Sequence, residues 1–350
     1  MMEQVLWDMA KKEESYWTKG SGHYADVVLS TRVRLARNYN DFLFPEKITD
    51  EQREDLIKKI QSVMLEQGDL YFFDLRLFPE ELKMALFEKQ LISKELALKN
   101  EHSALILTKK NDVSIMVNEE DHLRIQAYSS GLDFSGALEK AIAYDEIFAR
   151  ADRYAFDSEL GFFTSCPSNF GTGMRASVMV HLPAITEAGL LQQMTKDLHK
   201  AGYVVRGMYG ESTESWGSFF QISNQLTTGL SEEEIIQRLE VAMENLARQE
   251  RKLRKEIVEK KRIFFEDHIF RAYGLLQNAR RISHKEAVLN LSLLRTGVTE
   301  ELLPSLSLED VNKLIFISNP YHIRALWPEM DQAGLQVKRA ELLRERLQEK

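Results

Sequence analysis

The stretch Ala25–Asn38, ADVVLSTRVRLARN, limits what this chain can fold into more than any other. After a short apolar run it alternates arginine with aliphatic residues. Residues two apart in an extended segment share a face, so Arg32 and Arg34 point one way and Val33 and Leu35 the other. The apolar face needs a core. The cationic face sets two guanidiniums side by side, and they repel unless an anion lies between them. Phosphate oxygens are the natural partner. A solvated strand edge is the alternative that the spacing leaves open.

A second stretch, Ser165–Leu182, reads SCPSNFGTGMRASVMVHL. It holds the only cysteine, Cys166, then Pro167, Gly171 and Gly173, with Arg175 at the junction with an alternating apolar run. A small-residue loop leading into a strand can hold a thiol and a cation against an anionic ligand. A single cysteine excludes an internal disulfide. No apolar run approaches the ~20 residues of a membrane helix. The N-terminal MMEQVLWDMAKKEES lacks the apolar centre of a signal peptide, so a reducing, cytoplasmic setting away from membranes is expected. Residues 1–250 carry 27 Lys/Arg against 40 Asp/Glu, and residues 251–350 carry 19 against 14. The acidic first part argues against a direct nucleic-acid ligand there and suits a cationic substrate, although a solvated acidic surface gives the same balance.

In chain order, residues 1–24 form an N-terminal segment with Trp7 and Trp17 as core anchors. Thr49 and Gln52 make a capping box for a helix over 49–67, stopped by Gly68. Another helix follows Pro79, and Leu91–Leu98 passes from loop to helix. Ser103–Lys109 and Val113–Asn118 read as strands joined by a turn, with Leu123–Ser129 as a further strand. Helices over 138–150 and 188–200 and strands over 176–182, 203–209 and 219–224 complete an α+β pattern. The expected architecture is an antiparallel sheet flanked by helices, followed by a smaller all-α domain. Ser231 caps a long helix whose first turn holds Glu232, Glu233 and Glu234 at the positive end of the dipole. Beyond it come helices over 266–278, 283–296, 308–317 and 339–348. The expected division is 1–24, 25–250 and 251–350.

Arg32, Arg34, Arg124, Arg175 and Arg206 all lie in or beside strands of this one sheet. Their mutual repulsion asks for a polyanion, and a nucleotide di- or triphosphate is the compact candidate. The chain has neither the P-loop pattern nor a glycine-rich loop of the kinase or dinucleotide type. Arginine clamps, with Mg²⁺ bridging phosphate oxygens, supply the alignment and charge neutralisation that phosphoryl transfer needs. Glu119, Glu120, Glu211 and Glu214 stand against that cationic wall. Carboxylates facing a nucleotide would repel it, so they suit a positive group. A guanidinium pairs bidentately with a carboxylate, and one carboxylate acting as base would make it a nucleophile. Surface turns are the alternative reading of these glutamates.

Four motifs carry a family resemblance: STRVRLARN (30–38), VNEEDHLRI (117–125), CPSNFGTGMRASV (166–178) and RGMYGESTE (206–214). In order and spacing the chain resembles the ATP:guanido phosphotransferase (phosphagen kinase) family, and within it the McsB-type bacterial protein-arginine kinases. The resemblance implies nucleotide contacts, for ATP or ADP, at Ser30, Thr31, Arg32, Val33 and Arg34. It implies more at Gln90, Arg124, Arg175, Ala176, Ser177, Val178 and Met179, and at Arg206, Gly207, Met208, Tyr209, Gly210 and Glu211. It implies Glu120 as catalytic carboxylate, Glu211 as second substrate carboxylate and Cys166 as the thiol beside the guanidinium. A thiolate there, favoured by nearby cations, would be sensitive to oxidation. No dedicated protein metal site is implied. The implied acceptor is arginine on proteins, marked for the ClpC–ClpP protease, with the repressor CtsR as a target and McsA as activator. A homodimer is implied as well. A free-guanidine kinase and a non-catalytic adaptor are the alternatives. The segment before residue 25 is too short for the substrate-closing domain of the former, and intact Glu120, Glu211 and Cys166 speak against the latter. Met179 and Gln90 replace histidines frequent in the family, with His181 on the same strand face as a partial substitute. The family's phosphoarginine-binding Arg-Asp-x-x-Arg-Ala reads Leu335–Ala340 here and keeps only Arg339-Ala340. Arg339, Arg344 and Arg346 are then expected as a solvated or dimer-facing helix surface.

Overall fold

The computed structural model describes residues 2–64, 67–99, 101–208 and 215–348. The chain begins with α1 (Met2–Lys11), β1 (Val28–Arg37), α2 (Asp50–Met64), β2 (Leu70–Asp74), α3 (Glu80–Glu88) and α4 (Lys94–Leu98). It continues through β3 (Ala104–Thr108), β4 (Val113–Val117), β5 (Leu123–Ser130), α5 (Phe134–Phe148), β6 (Phe156–Asp157), β7 (Gly161–Phe162) and β8 (Met174–His181). Next come α6 (Pro183–Glu187), α7 (Leu191–Lys200), β9 (Tyr203–Gly207), β10 (Phe219–Asn224) and α8 (Glu232–Asn278). The last four helices are α9 (His284–Thr299), α10 (Leu308–Ile317), α11 (Pro320–Leu326) and α12 (Gln332–Gln348).

The main sheet has eight strands in the order β2-β3-β4-β5-β1-β8-β10-β9, all paired antiparallel. β1 lies near its middle because both of its edges find long partners, β5 and β8. Val33 and Leu35 sink into the principal core together with Ile125, Ala176 and Val178. That core is covered by the apolar stripes of α2, α5 and the first half of α8: Leu56 and Ile60, Ala137 and Ala141, Leu239 and Met243. The opposite face of β1 and β8 is left for the arginines.

α8 is one helix of 47 residues where the sequence suggests two. No proline or glycine interrupts 231–273, so nothing in the backbone stops it. Non-helical torsions at Lys261 (φ −136°, ψ 38°) bend it instead, and its buried residues pass from the principal core to a second one near there. That second core gathers α9, α10 and α12 around Ile269, Leu291 and Phe316, and it takes in Trp17, Leu29, Met179 and Phe219 from the sheet side. A third core holds α1, α3 and α4 against Leu105 and Met116.

Two boundaries move for local reasons. Pro183 ends β8 as expected but also opens α6 at its first turn. Gly189 (φ 70°) then separates α6 from α7, so the helix expected over 188–200 begins at Leu191 and a short additional helix precedes it. α5 starts at Phe134 because the Asp133 side chain accepts from the Gly136 N–H at 2.9 Å. The expected basic surface of α12 is corrected. Arg339 is buried, donating to Ser318 O at 2.7 Å and Ile282 O at 3.2 Å, and Arg346 pairs with Glu13. Those arginines fasten α12 to its neighbours because carbonyls and a carboxylate are within reach there.

Candidate active site

Strand register builds the cationic wall. Arg34 stands directly opposite Arg175 across β1 and β8, and opposite Gln126 on β5. One step along, Arg32 faces Ser177, and its Nε donates to Ser177 Oγ at 3.4 Å. Arg124 is level with Ala36, and Arg206 with Gln221. Arg175 is steadied by Ser223, whose Oγ accepts from Nε at 3.3 Å and from Nη2 at 3.1 Å. The arginines line two cavities of about 610 and 480 Å³ that share Arg34, Glu95, Arg124 and Arg206.

The charges are left uncompensated. Among the described residues only Arg124 of the five has a carboxylate partner, Glu119 at 2.6 Å. Burial, then repulsion by Arg206, Arg32 and Arg124, pushes Arg175 down to about 10. Burial and the charges of Arg32, Arg124 and Arg175 hold Arg34 well below its ordinary value. Burial opposes the charge of Arg124, but Glu119 outweighs it and raises that group. Arginine does not release its proton at accessible pH. The downward shifts therefore express burial first and mutual repulsion second, and an anion would offset both.

The opposite wall is the loop between β4 and β5. Asn118, at φ 57°, turns the chain so that its N–H meets His122 O at 3.0 Å. The loop is then pinned from behind. Asn38 Nδ2 donates to Asp121 at 2.6 Å, the Ser165 N–H donates to the same oxygen at 2.7 Å, and the His122 N–H donates to Asn38 Oδ1 at 2.8 Å. The His122 ring accepts from the Tyr39 N–H through Nδ1, so Nε2 carries its proton and donates to Leu43 O. Burial pushes His122 down to about 4, keeping it neutral. Lys99 braces the loop further by donating to Asn118 O and Glu119 O at 2.8 and 3.0 Å.

These bonds divide the labour of the two glutamates. Glu119 is buried and fully engaged, accepting from Ser93 Oγ, Arg124 Nη1 and the Glu120 N–H. Glu120 stands at the exposed tip, lining the same cavity as Cys166. Partial burial raises its pKa, a hydrogen bond from Cys166 opposes that rise, and Glu119 and Asp121 add to it. Cys166 Sγ also lies 3.0 Å from Ser168 Oγ. A cavity with uncompensated guanidiniums on one wall and a carboxylate of raised basicity on the other can align an anionic donor with a cationic acceptor.

Residues 51–253 match the model of the ATP:guanido phosphotransferase C-terminal catalytic domain, and residues 262–350 match the protein-arginine kinase McsB C-terminal domain. A protein-arginine kinase of Brevibacillus brevis is 39% identical over 95% of this chain and 95% of its own. The chain belongs to the protein-arginine kinase branch of the ATP:guanido phosphotransferase family. A Geobacillus stearothermophilus protein-arginine kinase is 40% identical over 95% of this chain and 93% of its own. Among solved structures, lombricine kinase superposes with a TM-score of 0.59 at 20% identity, over 72% of this chain and 78% of its own. The substrate-free duplicated taurocyamine kinase of Schistosoma mansoni gives 0.57 at 25% identity, over 71% and 39%. These two show the fold.

In this kinase Arg32, Arg34, Gln90, Arg124, Met179, Arg206, Gly207 and Met208 line one cavity, and Glu120, Cys166 and Arg175 line the other. Val33, Ala176 and Val178 are corrected as side-chain contacts, since strand alternation buries them in the core on the far face. Thr31 is likewise turned inward, donating to Gly131 O at 2.7 Å. Ser30 is buried on the arginine face, and Ser177 serves as the partner of Arg32 and Gln221. Tyr209, Gly210, Glu211 and Glu214 lie outside the described residues. His181 does not serve as the partial substitute expected for the replaced histidines. It is fully buried, accepts from Arg295 through Nδ1 and donates to Ser292 through Nε2, so it belongs to the seam with α9. The sequence reading missed Ser93, Glu95 and Lys99. Ser93 had a local signal, as the cap that accepts from the Leu96 N–H, whereas the other two are placed by tertiary packing.

Proposed function

We propose that the protein transfers the γ-phosphoryl group of ATP to the guanidinium of arginine side chains in proteins. The observation that supports this most directly is the placement of Glu120, bonded to Cys166, across one cavity from Arg34, Arg124 and Arg175. The arginines hold the phosphates and neutralise the charge that spreads over the moving group. Glu120 takes a proton from the acceptor nitrogen as the N–P bond forms and the γ-phosphorus to bridging-oxygen bond breaks, releasing ADP. Cys166 keeps Glu120 aimed at that nitrogen. Mg²⁺, when bound with the nucleotide, would supply neutralisation of phosphate charge. Among the lining carboxylates, Glu119 is taken by Arg124 and Ser93, while Glu95 makes no ion pair among the described residues and is free to share the ion.

The finer biological reading is that phosphorylated proteins are marked for ClpC–ClpP, that CtsR is inactivated in this way, and that an McsA-type protein activates the enzyme in the cytoplasm. Self-association is proposed through the exposed Ile263, Phe264 and Phe270 on the second half of α8.

The test is incubation with Mg-ATP and an arginine-rich protein, with free L-arginine in parallel. The N–P bond is acid-labile, so products are read by mass spectrometry at neutral pH. Phosphate on free arginine alone would overturn the protein acceptor. Glu120→Gln is expected to lower turnover by about 10²–10⁴-fold, the range for loss of a general base, with ADP affinity retained. Collapse of ADP binding would move Glu120 to the nucleotide side.

A further inference from the structure

Behind Glu120 lies a third cavity of about 330 Å³, walled by Pro45, Glu46, Arg53, Lys99, Glu101 and Ser165. It shares Lys99, Glu119 and Glu120 with the larger cavity, but none of the five wall arginines lines it. It therefore reaches the catalytic carboxylate from the side that the phosphate clamp leaves open.

Its charges favour a cation-bearing occupant. Arg53 already donates to Pro45 O at 2.7 Å and pairs with Glu101 at 2.9 Å. Lys99 is committed to the two carbonyls of the Glu120 loop. Glu46 is exposed, and neither it nor Glu120 makes an ion pair among the described residues, Glu120 feeling only the more distant charge of Arg124. The chain leading into the groove, by contrast, is apolar. Leu43 and Phe44, immediately before the groove residues Pro45 and Glu46, are 51% and 36% exposed.

That stretch is not a loose loop. The neutral His122 donates to Leu43 O at 2.9 Å, and its ring meets Phe44 edge-on at 6.4 Å between centroids. His122 belongs to the same pinned turn as Glu120. Leu43 and Phe44 are thus tied to the same turn that carries Glu120.

We propose that this groove is the subsite for the polypeptide that carries the target arginine, and that an apolar residue flanking this arginine rests on Leu43 and Phe44. The proposal rests on the reading that arginines in proteins are the acceptors. The occupant is an extended segment whose backbone passes Glu46 while its arginine reaches Glu120. Leu43 and Phe44 select for an apolar flank and the free carboxylates select against an acidic one.

Three acceptors test it with Mg-ATP: N-acetyl-arginine amide, a short peptide with leucine beside the arginine, and the same peptide with aspartate there. The full chain is expected to favour the leucine peptide by about tenfold in kcat/KM, from burial of roughly one aliphatic side chain and relief of carboxylate repulsion. The double variant Leu43→Ser, Phe44→Ser is expected to lose most of that preference through KM. Both substitutions leave the Leu43 carbonyl available to His122, and ADP affinity measured alongside reports that the nucleotide half is folded. If the double variant does not bind ADP, Leu43→Ser alone is read in its place. A wild-type enzyme that phosphorylates all three acceptors with no flank preference overturns the proposal and leaves the protein-kinase reading standing. Preference that survives the substitutions overturns it too. Transfer to none of the three overturns the arginine-kinase reading, and the proposal with it.

Discussion

Replacing Arg34 by methionine separates two effects that normally travel together. Arg34 stands opposite Arg175 and feels Arg32, Arg124 and Arg175 as like charges. At about 7 Å and an effective dielectric of about 20, one such pair costs roughly 2 kcal/mol. Arg34 is only half-buried at the cavity wall. Solvent screening reduces the summed repulsion, and methionine keeps most of the apolar stem, so the net relief is on the order of 1–2 kcal/mol. The free protein is therefore expected to melt slightly higher, by roughly 1–3 °C. Its affinity for ADP moves the other way. Loss of a charge-assisted hydrogen bond to phosphate costs about 1.5–3 kcal/mol, or roughly 10- to 100-fold in Kd. Thermal melts with and without ADP, together with a titration by calorimetry, read both quantities. Adding inorganic phosphate should stabilise wild type more than the variant. If the free variant melts lower and binds ADP as wild type does, Arg34 is a packing residue, and the argument from stored repulsion fails.

Other expectations follow from the same geometry. Glu120 titrates above the usual carboxylate range, so transfer should fall as pH drops through that raised value. Because the Cys166 hydrogen bond opposes the rise, Cys166→Ala should move the acid limb of kcat to higher pH, and an unmoved limb would remove Cys166 from that role. Burial pushes Glu88 up to about 8, although the N–H groups of Tyr321 and His322 donate to it. Its folded value exceeds its unfolded one, so the stability it contributes is full below about pH 4.3 and is lost as pH rises through about 8. Glu88→Gln should thus gain on wild type between pH 5.5 and 8.5 in paired melts, and a constant difference would contradict the assignment. Arg295 is fully buried and donates to Ala25 O, Asp26 O, Asn312 and His181. Arg295→Met leaves these acceptors unpaired, with an expected loss of about 3 kcal/mol in denaturant unfolding. A loss under about 1 kcal/mol would mean that water replaces the guanidinium.

Much of this was legible because strands alternate. The period of two in β1 and β8 sends Arg32, Arg34 and Arg175 to one face, and the register then brings them level. The same rule shows why Val33, Ala176 and Val178 cannot reach a ligand with their side chains, which a motif read as a continuous run conceals. Glu119 and Glu120 are adjacent in sequence and chemically alike. What divides them is Ser93 on another element and the turn at Asn118. His181 follows the alternation of β8, yet α9 reaches it first, through Arg295 and Ser292. No local pattern in β8 announces a buried arginine more than a hundred residues away. The bend at Lys261 is equally silent, since a run of good helix formers gives no stop signal.

The middle position of β1 has a consequence for how the protein is made. It is the first strand of the sheet to leave the ribosome, but its partner β8 follows only after about 145 residues, the separation of Arg32 from Ser177. At bacterial-type elongation rates of about 5–20 residues per second, that delay is on the order of 10–30 s. During it the newborn strand has both edges open until β5 emerges and one edge open after that, and its arginines have no cavity around them. Strand edges left open invite pairing with other chains, and charged side chains are a known safeguard against it. The guanidiniums that later line the cavity would thus first act as guards of an unfinished sheet.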